Sequence, residues 1–183
     1  MKSKKIVLVG MMGSGKSAVS KVLSQKLGYK LLECDEIFEE KFDIKISDFF
    51  SKFGEAEFRK REFEILKSIL SDNLNNFVVS TGGGAILKKE NRDIIFNDDT
   101  ISIYLKASPE AIFERIKNDE TRPLLKVQNP KLEIEKILSQ REEFYNLAHF
   151  TIENENKTIE KVADEIILKV NYEKNWDWKY RKY

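Results

Sequence analysis

The string "GMMGSGKS" at residues 10–17 constrains this chain more than any other. It fits G-x-x-x-x-G-K-[ST]. It also follows the β-branched run Ile6–Val9 and precedes a stretch with apolar residues at Ala18, Val19, Val22, Leu23 and Leu27. The run reads as a buried parallel strand and residues 17–27 as an amphipathic helix. A glycine loop in that setting turns successive backbone N–H groups inward at a helix N-terminus, where they hold phosphate oxygens. Lys16 is placed to reach the outer phosphates and the Ser17 hydroxyl to ligate Mg²⁺. Gly13, Ser14, Gly15, Lys16, Ser17 and Ala18 are the expected nucleotide contacts. The competing reading is a glycine-rich turn that only links strand to helix.

The rest of the chain repeats the alternation. "KLLECD" (30–35) reads as a second strand ending in acid, "NFVVST" (76–81) as a third, "TISIYL" (100–105) as a fourth and "AHFTIE" (148–153) as a fifth. Helical patterning covers 36–73, 109–118, 131–146 and 158–170. Strands alternating with helices give an α/β domain with a mainly parallel sheet, and such sheets bind ligands at the carboxyl ends of their strands. At 183 residues the chain fits one domain. Lys+Arg of 32 against Asp+Glu of 31 argues against nucleic acid or an anionic membrane as partner. The single cysteine, Cys34, makes no internal disulfide and fits a reducing compartment. The apolar run 6–12 is at the short limit for a secretory signal, and cleavage behind it would destroy the glycine loop. No run approaches membrane-spanning length. A cytoplasmic protein is expected. The tail at 172–183 is aromatic and basic without a period, and its role stays open.

A second glycine cluster lies in "VVSTGGGA" (78–85), which takes three of the 8 glycines in a row at the end of an apolar run. Glycine is costly to order, so Gly82, Gly83 and Gly84 point to a tight turn or a close backbone approach. The N-K-x-D string usual in GTPases of this fold does not occur, and the chain is short for a motor ATPase. A small-molecule kinase leads, and it needs an acceptor site.

"GMMGSGKS", "LLECDEIFE", "GEAEFRKREFE", "STGGGA", "RPLL" and "REEFY" together resemble the shikimate kinases in order and approximate spacing, over about residues 4–170. The resemblance implies a three-layer α/β/α sandwich of the P-loop, nucleoside monophosphate kinase-like type, with a five-stranded parallel sheet in the order 2-3-1-4-5. It implies one kinase domain over 1–171, with an acceptor-binding insert at about 36–65 and a lid at about 114–128. The implied reaction is ATP- and Mg²⁺-dependent phosphorylation of the 3-hydroxyl of shikimate, by an enzyme expected to act as a monomer on this small-molecule substrate.

Residue by residue, Arg59 and Arg141 match the family's carboxylate-binding arginines, in keeping with the fit of guanidinium forks to carboxylates. Gly82, Gly83 and Gly84 match positions where backbone approaches the acceptor. Replacing Gly83 by Ala is therefore expected to weaken chiefly acceptor binding. Asp35 matches the aspartate that binds the acceptor hydroxyls and takes the proton from the attacking one; by position alone it serves equally as a helix cap. Glu62, three residues after Arg59 on one helix face, joins the acceptor set as the partner that orients Arg59. Such a pair on a surface helix is more often solvated.

Arg122 matches the lid arginine that stabilises charge on the transferring phosphoryl group, and an ordinary loop arginine before a proline is the plainer reading. Arg115 resembles the arginine that stacks on adenine, and Lys157 lies where the family's adenine loop falls. One position departs from the pattern. The usual D-x-D reads "ECD" here, so Glu33 stands where an aspartate of the Mg²⁺ shell is usual. One methylene longer, it suits a water-mediated role better than direct ligation.

The phenylalanines between 38 and 63 read as the core of the acceptor insert, with Phe50 or Phe58 as an apolar wall for the acceptor ring. His149 and Cys34 read as structural. The rivals are a gluconate-type kinase on the same scaffold and a nucleotide-gated binding module without chemistry. The Arg59, Arg141 and glycine-triplet set disfavours the first; Asp35, Lys16 and Arg122 disfavour the second.

Overall fold

The sheet is organised around one wholly buried strand, β1 (Lys5–Val9), whose side chains alternate between two helical layers. The computed structural model describes residues 4–72, 76–118 and 127–172. After β1 come α1 (Lys16–Leu27), β2 (Lys30–Glu33), α2 (Cys34–Phe42), α3 (Ile46–Ser71) and β3 (Phe77–Ser80). A single 3₁₀ turn (Ala85–Leu87) leads into α4 (Lys89–Ile95), and β4 (Ile101–Lys106), α5 (Pro109–Ile116), α6 (Pro130–Tyr145), β5 (Phe150–Glu153) and α7 (Ile159–Tyr172) complete the described chain. The five strands lie in the order β2-β3-β1-β4-β5. Every neighbouring pair is parallel, which is the expected sheet.

Ile6 and Leu8 of β1 pack with Val19 and Leu23 of α1 and Val162 and Ile166 of α7. Val7 and Val9 face the other way, into a core shared with Leu66, Ile95, Ile112, Ile134 and Tyr145 of α3 to α6. A third cluster, Phe38, Phe49, Phe58 and Ile65, joins α2 to α3, so part of the phenylalanine run forms a core of its own, while Phe53 is exposed. Helix boundaries follow local chemistry. The hydroxyl of Ser108 accepts from the Ala111 N–H ahead of Pro109, and the Asn129 side chain accepts from Leu132 N–H ahead of Pro130.

Local structure departs from expectation at three places. The second strand stops at Glu33, and Cys34 and Asp35 open α2, where Asp35 and Glu36 favour the positive helix terminus. The helical region at 36–73 is two helices, because Asp43 turns into the left-handed region at φ 50 and ends α2. Gly54, at φ 81, then kinks α3. Third, the 3₁₀ turn and α4 fill a stretch for which no helix was expected. Among the described residues no helix is long and apolar enough to cross a membrane. The tail beyond 172 and residues 119–126 of the proposed lid lie outside the described residues.

Candidate active site

The phosphate loop closes on itself. Gly10, Gly13 and Gly15 take φ of 148, 75 and 93, values that favour glycine, and Ser14 N–H bonds back to the Met11 carbonyl at 3.1 Å. The Lys16 ammonium is buried and donates to the carbonyls of Gly10 (2.7 Å) and Met11 (3.0 Å). Ser17 and Ala18 stand exposed in the first turn of α1, with its N-terminal amides beside them. This loop fits a triphosphate: left-handed glycines, a folded-back cation and a helix N-terminus meet at one strand end.

The end of β2 supplies acid. The Ser17 hydroxyl donates to Glu33, which brings the two expected Mg²⁺ residues together. Burial pushes the Glu33 carboxyl above the ordinary glutamate range and contact with Glu36 adds to this, while the Ser17 bond opposes it. Glu33 Oε1 is buried and has no hydrogen-bond partner among the described residues. An unsatisfied carboxylate oxygen beside a serine hydroxyl is a hard-oxygen donor set, so the residues fit Mg²⁺.

Asp35, Glu62, Arg59 and the glycine triplet meet at the next strand end, that of β3. A Cβ on Gly82 would lie 2.7 Å from Glu62 Oε1 and 3.0 Å from Asp35 Oδ1. A Cβ on Gly84 would lie 2.3 Å from Arg59 Nη2, and one on Gly83 would lie 2.8 Å from the backbone nitrogen of Met12 in the phosphate loop. The triplet is thus crowded on three sides by the protein's own groups. Arg59 donates to Glu62 Oε2 at 2.8 Å and to Glu55 at 3.1–3.2 Å. Its guanidinium lies 5.1 Å from the centre of the Phe58 ring. Burial pulls the Arg59 pKa down, but Glu62 and Glu55 outweigh it and raise it above the ordinary arginine value. Glu62 is buried, and desolvation raises its carboxyl above the ordinary range although Arg59 pulls the other way. The pair is therefore not the solvated surface ion pair that its spacing alone suggests.

Arg141, on α6, enters from the opposite wall and reaches the Gly83 carbonyl at 3.4 Å. Arg115, on α5, donates to the carbonyls of Gly13 and Ser14 at 3.3 Å and to that of Asn154. It thus lies against the phosphate loop. The Lys157 ammonium donates to Glu165 of α7 at 2.7 Å. Arg122 lies outside the described residues.

Three supporting residues escaped the sequence reading. Asn154 is buried and donates to the Ser14 carbonyl at 2.6 Å, bracing the phosphate loop from the end of β5. Thr81 ties the start of the triplet to the Leu8 carbonyl of β1 through both its N–H (3.2 Å) and its hydroxyl (2.9 Å). Tyr145 donates to the Gly83 carbonyl at 2.6 Å. Only Tyr145 carried a signal, since it sits one helical turn after Arg141 within "REEFY". His149 bonds to Ser102 inside the core and Cys34 is buried with its thiol pushed up by desolvation, so both are structural as expected.

A family model described as shikimate kinase matches residues 12–171. A shikimate kinase of Thermodesulfovibrio yellowstonii is 43% identical over 90% of this chain and 93% of its own length. The solved shikimate kinase of Acinetobacter baumannii in complex with shikimate superimposes with a TM-score of 0.88 at 34% identity, covering 95% of this chain and 96% of that one. The shikimate kinase of Aquifex aeolicus superimposes at 0.81 with 33% identity, covering 93% and 98%.

Proposed function

The chain belongs to the shikimate kinase family, and from that membership we propose how its own residues divide the work. The reaction moves the γ-phosphoryl group of ATP to the 3-hydroxyl of shikimate, giving shikimate 3-phosphate and ADP on the route to chorismate and the aromatic amino acids.

Gly13 to Ala18 hold the ATP phosphates by backbone N–H groups, and Lys16 leaves its loop carbonyls to follow the outer phosphates. Ser17 and Glu33 would hold Mg²⁺. There it would supply positive charge against the negative charge of the phosphates. Arg115 flanks the adenine side, with Lys157 further out.

On the acceptor side, Arg59 and Arg141 grip the shikimate carboxylate from α3 and α6, and Glu62 fixes the Arg59 fork. The carboxylate of Asp35 aligns the attacking hydroxyl and accepts its proton, which leaves the oxygen able to bond to phosphorus as the ADP oxygen departs. Alignment carries much of the rate, because phosphoryl transfer depends mostly on positioning and charge. Arg122 supplies further positive charge to the transferred group. The lone buried thiol supports a cytoplasmic setting.

One observation carries this division: Gly83 sits against Met12 of the phosphate loop while its neighbours Gly82 and Gly84 sit against Asp35, Glu62 and Arg59. Donor and acceptor sites share a wall one backbone thick. A coupled assay for ADP release tests it, with release expected to depend on shikimate and to be abolished in Lys16→Ala. ADP release by folded protein that shikimate does not raise above background would contradict it.

A further inference from the structure

Tyr145 ends α6, one turn beyond Arg141, and has no part in the chemistry described above. It is wholly buried, and its ring stacks on Tyr104 with centroids 4.9 Å apart and planes at 15°. A phenylalanine would fill that place equally well. The hydroxyl is what needs a reason, since a buried phenol is costly without a partner. It has two. It donates to the Gly83 carbonyl at 2.6 Å, and it is hydrogen-bonded to Arg141. Arg141 also reaches the same Gly83 carbonyl at 3.4 Å. One hydroxyl therefore touches both a glycine of the triplet and an arginine assigned to the acceptor carboxylate.

Gly83 is held from the other side by the phosphate loop, with no room for a Cβ against Met12. A peptide pressed on one face still has freedom to rotate its carbonyl, and the Tyr145 bond removes that freedom. Burial holds the phenol up at about 12 against the opposing pull of Arg141, so the donor keeps its proton at any working pH.

We propose that Tyr145 is a positioning residue for the acceptor, whose hydroxyl fixes the Gly83 carbonyl and the Arg141 guanidinium in one mutual geometry. It acts through Arg141 and the triplet and does not touch shikimate itself. The proposal rests on the reading of Arg141 as a carboxylate-binding residue.

Steady-state kinetics of Tyr145→Phe, Arg141→Gln and the double variant test it. Tyr145→Phe keeps the ring and its stacking but leaves a buried carbonyl short of a donor. Its shikimate KM should rise about tenfold with the ATP KM within about twofold. In the Arg141→Gln background the same change should add less than it does alone, because one of the two groups the hydroxyl holds is already lost. The shift in melting temperature produced by shikimate should shrink in Tyr145→Phe while that produced by ATP stays, a readout independent of turnover. A shikimate KM within about twofold of the parent, an equal rise in both KM values, or full additivity with Arg141→Gln would overturn the proposal. If Arg141→Gln raises the shikimate KM and Tyr145→Phe does not, only the proposal falls. If Arg141→Gln is itself without effect, the carboxylate reading falls and takes the proposal with it.

Discussion

The two glycine clusters sit at the ends of neighbouring strands, β1 and β3, and they need glycine for different reasons. In the phosphate loop the reason is conformation, since Gly10, Gly13 and Gly15 all have positive φ. No residue of the 82–84 triplet does. There the reason is space: Asp35, Glu62, Arg59 and Met12 fill the positions that Cβ atoms would take. A conformational glycine answers to its own backbone, whereas a steric one answers to residues elsewhere in the chain. The first loop is therefore legible locally, and the second makes sense only once α2, α3 and the phosphate loop have been brought to it.

The largest expected effect lies where the triplet meets the chemistry. Asp35→Asn should leave shikimate affinity within about an order of magnitude but lower kcat by roughly 100- to 10,000-fold. If turnover barely changes, Asp35 is only the second residue of α2, and the acceptor half of the comparison loses its reactive group. A smaller effect is expected from Gly84→Ala. The Cβ would displace the Arg59 guanidinium, which is the free end of a flexible side chain, so the fold should survive. The shikimate KM should rise about tenfold with the ATP KM little altered, as two-substrate kinetics would show. Loss of ATP affinity in this variant would mean that the triplet is not divided between two sites.

Smaller again is the response to acid. Glu62 has a raised carboxyl pKa, so its proton returns at a higher pH than that of an ordinary glutamate, and Arg59 then loses its anchoring charge. Acceptor affinity should fall several-fold as pH drops through that raised value, in a profile of kcat/KM for shikimate. The sign for stability is opposite. A carboxyl that binds its proton more tightly folded than unfolded contributes stability at low pH that is lost as pH rises through the folded value. Glu62→Gln should thus remove the acid limb in shikimate kinetics and leave acceptor affinity low at every pH. An acid limb unchanged in that variant would assign it to another group.

The smallest effect serves as a control outside both loops. Glu39 accepts from Lys45 at 2.5 Å and from the Ile46 N–H at 3.1 Å, which lowers its carboxyl below the ordinary range. Its stabilising contribution is present above the unfolded value and fades as pH falls through the folded one. Glu39→Gln should cost a little thermal stability at neutral pH and leave both KM values alone; a change in either KM would tie this remote bond to the site.

These contrasts also explain what the sequence disclosed. The α/β class and the phosphate loop were legible because alternating apolar runs and a contiguous motif carry them, whereas the strand order came only with the resemblance. Arg59, Asp35 and Arg141 could be named only through the resemblance, since they converge from α3, α2 and α6 and no local pattern joins them. The strand ends at Glu33 and not at 35, because an apolar pair followed by acid does not mark where the backbone turns from strand to helix. Helix α4 leaves little trace in the sequence, because it shows few apolar residues, Ile94 and Ile95, and is anchored by polar bonds from Asn91 and Arg92 to the carbonyls of the 3₁₀ turn. Asn154 and Thr81 were silent because their work is done on backbone atoms far away in sequence.

Gly83 is the residue where the two clusters touch, and the pair of Michaelis constants of Gly83→Ala is the most direct test of that shared wall. The sequence alone pointed to a loss confined mainly to the acceptor. The neighbour at 2.8 Å is instead the backbone nitrogen of Met12, which cannot swing aside as a side chain can. In folded Gly83→Ala, the KM for ATP and the KM for shikimate should both rise, each by several-fold. A rise in the shikimate KM with the ATP KM unchanged would contradict the account and leave the two glycine clusters as separate sites.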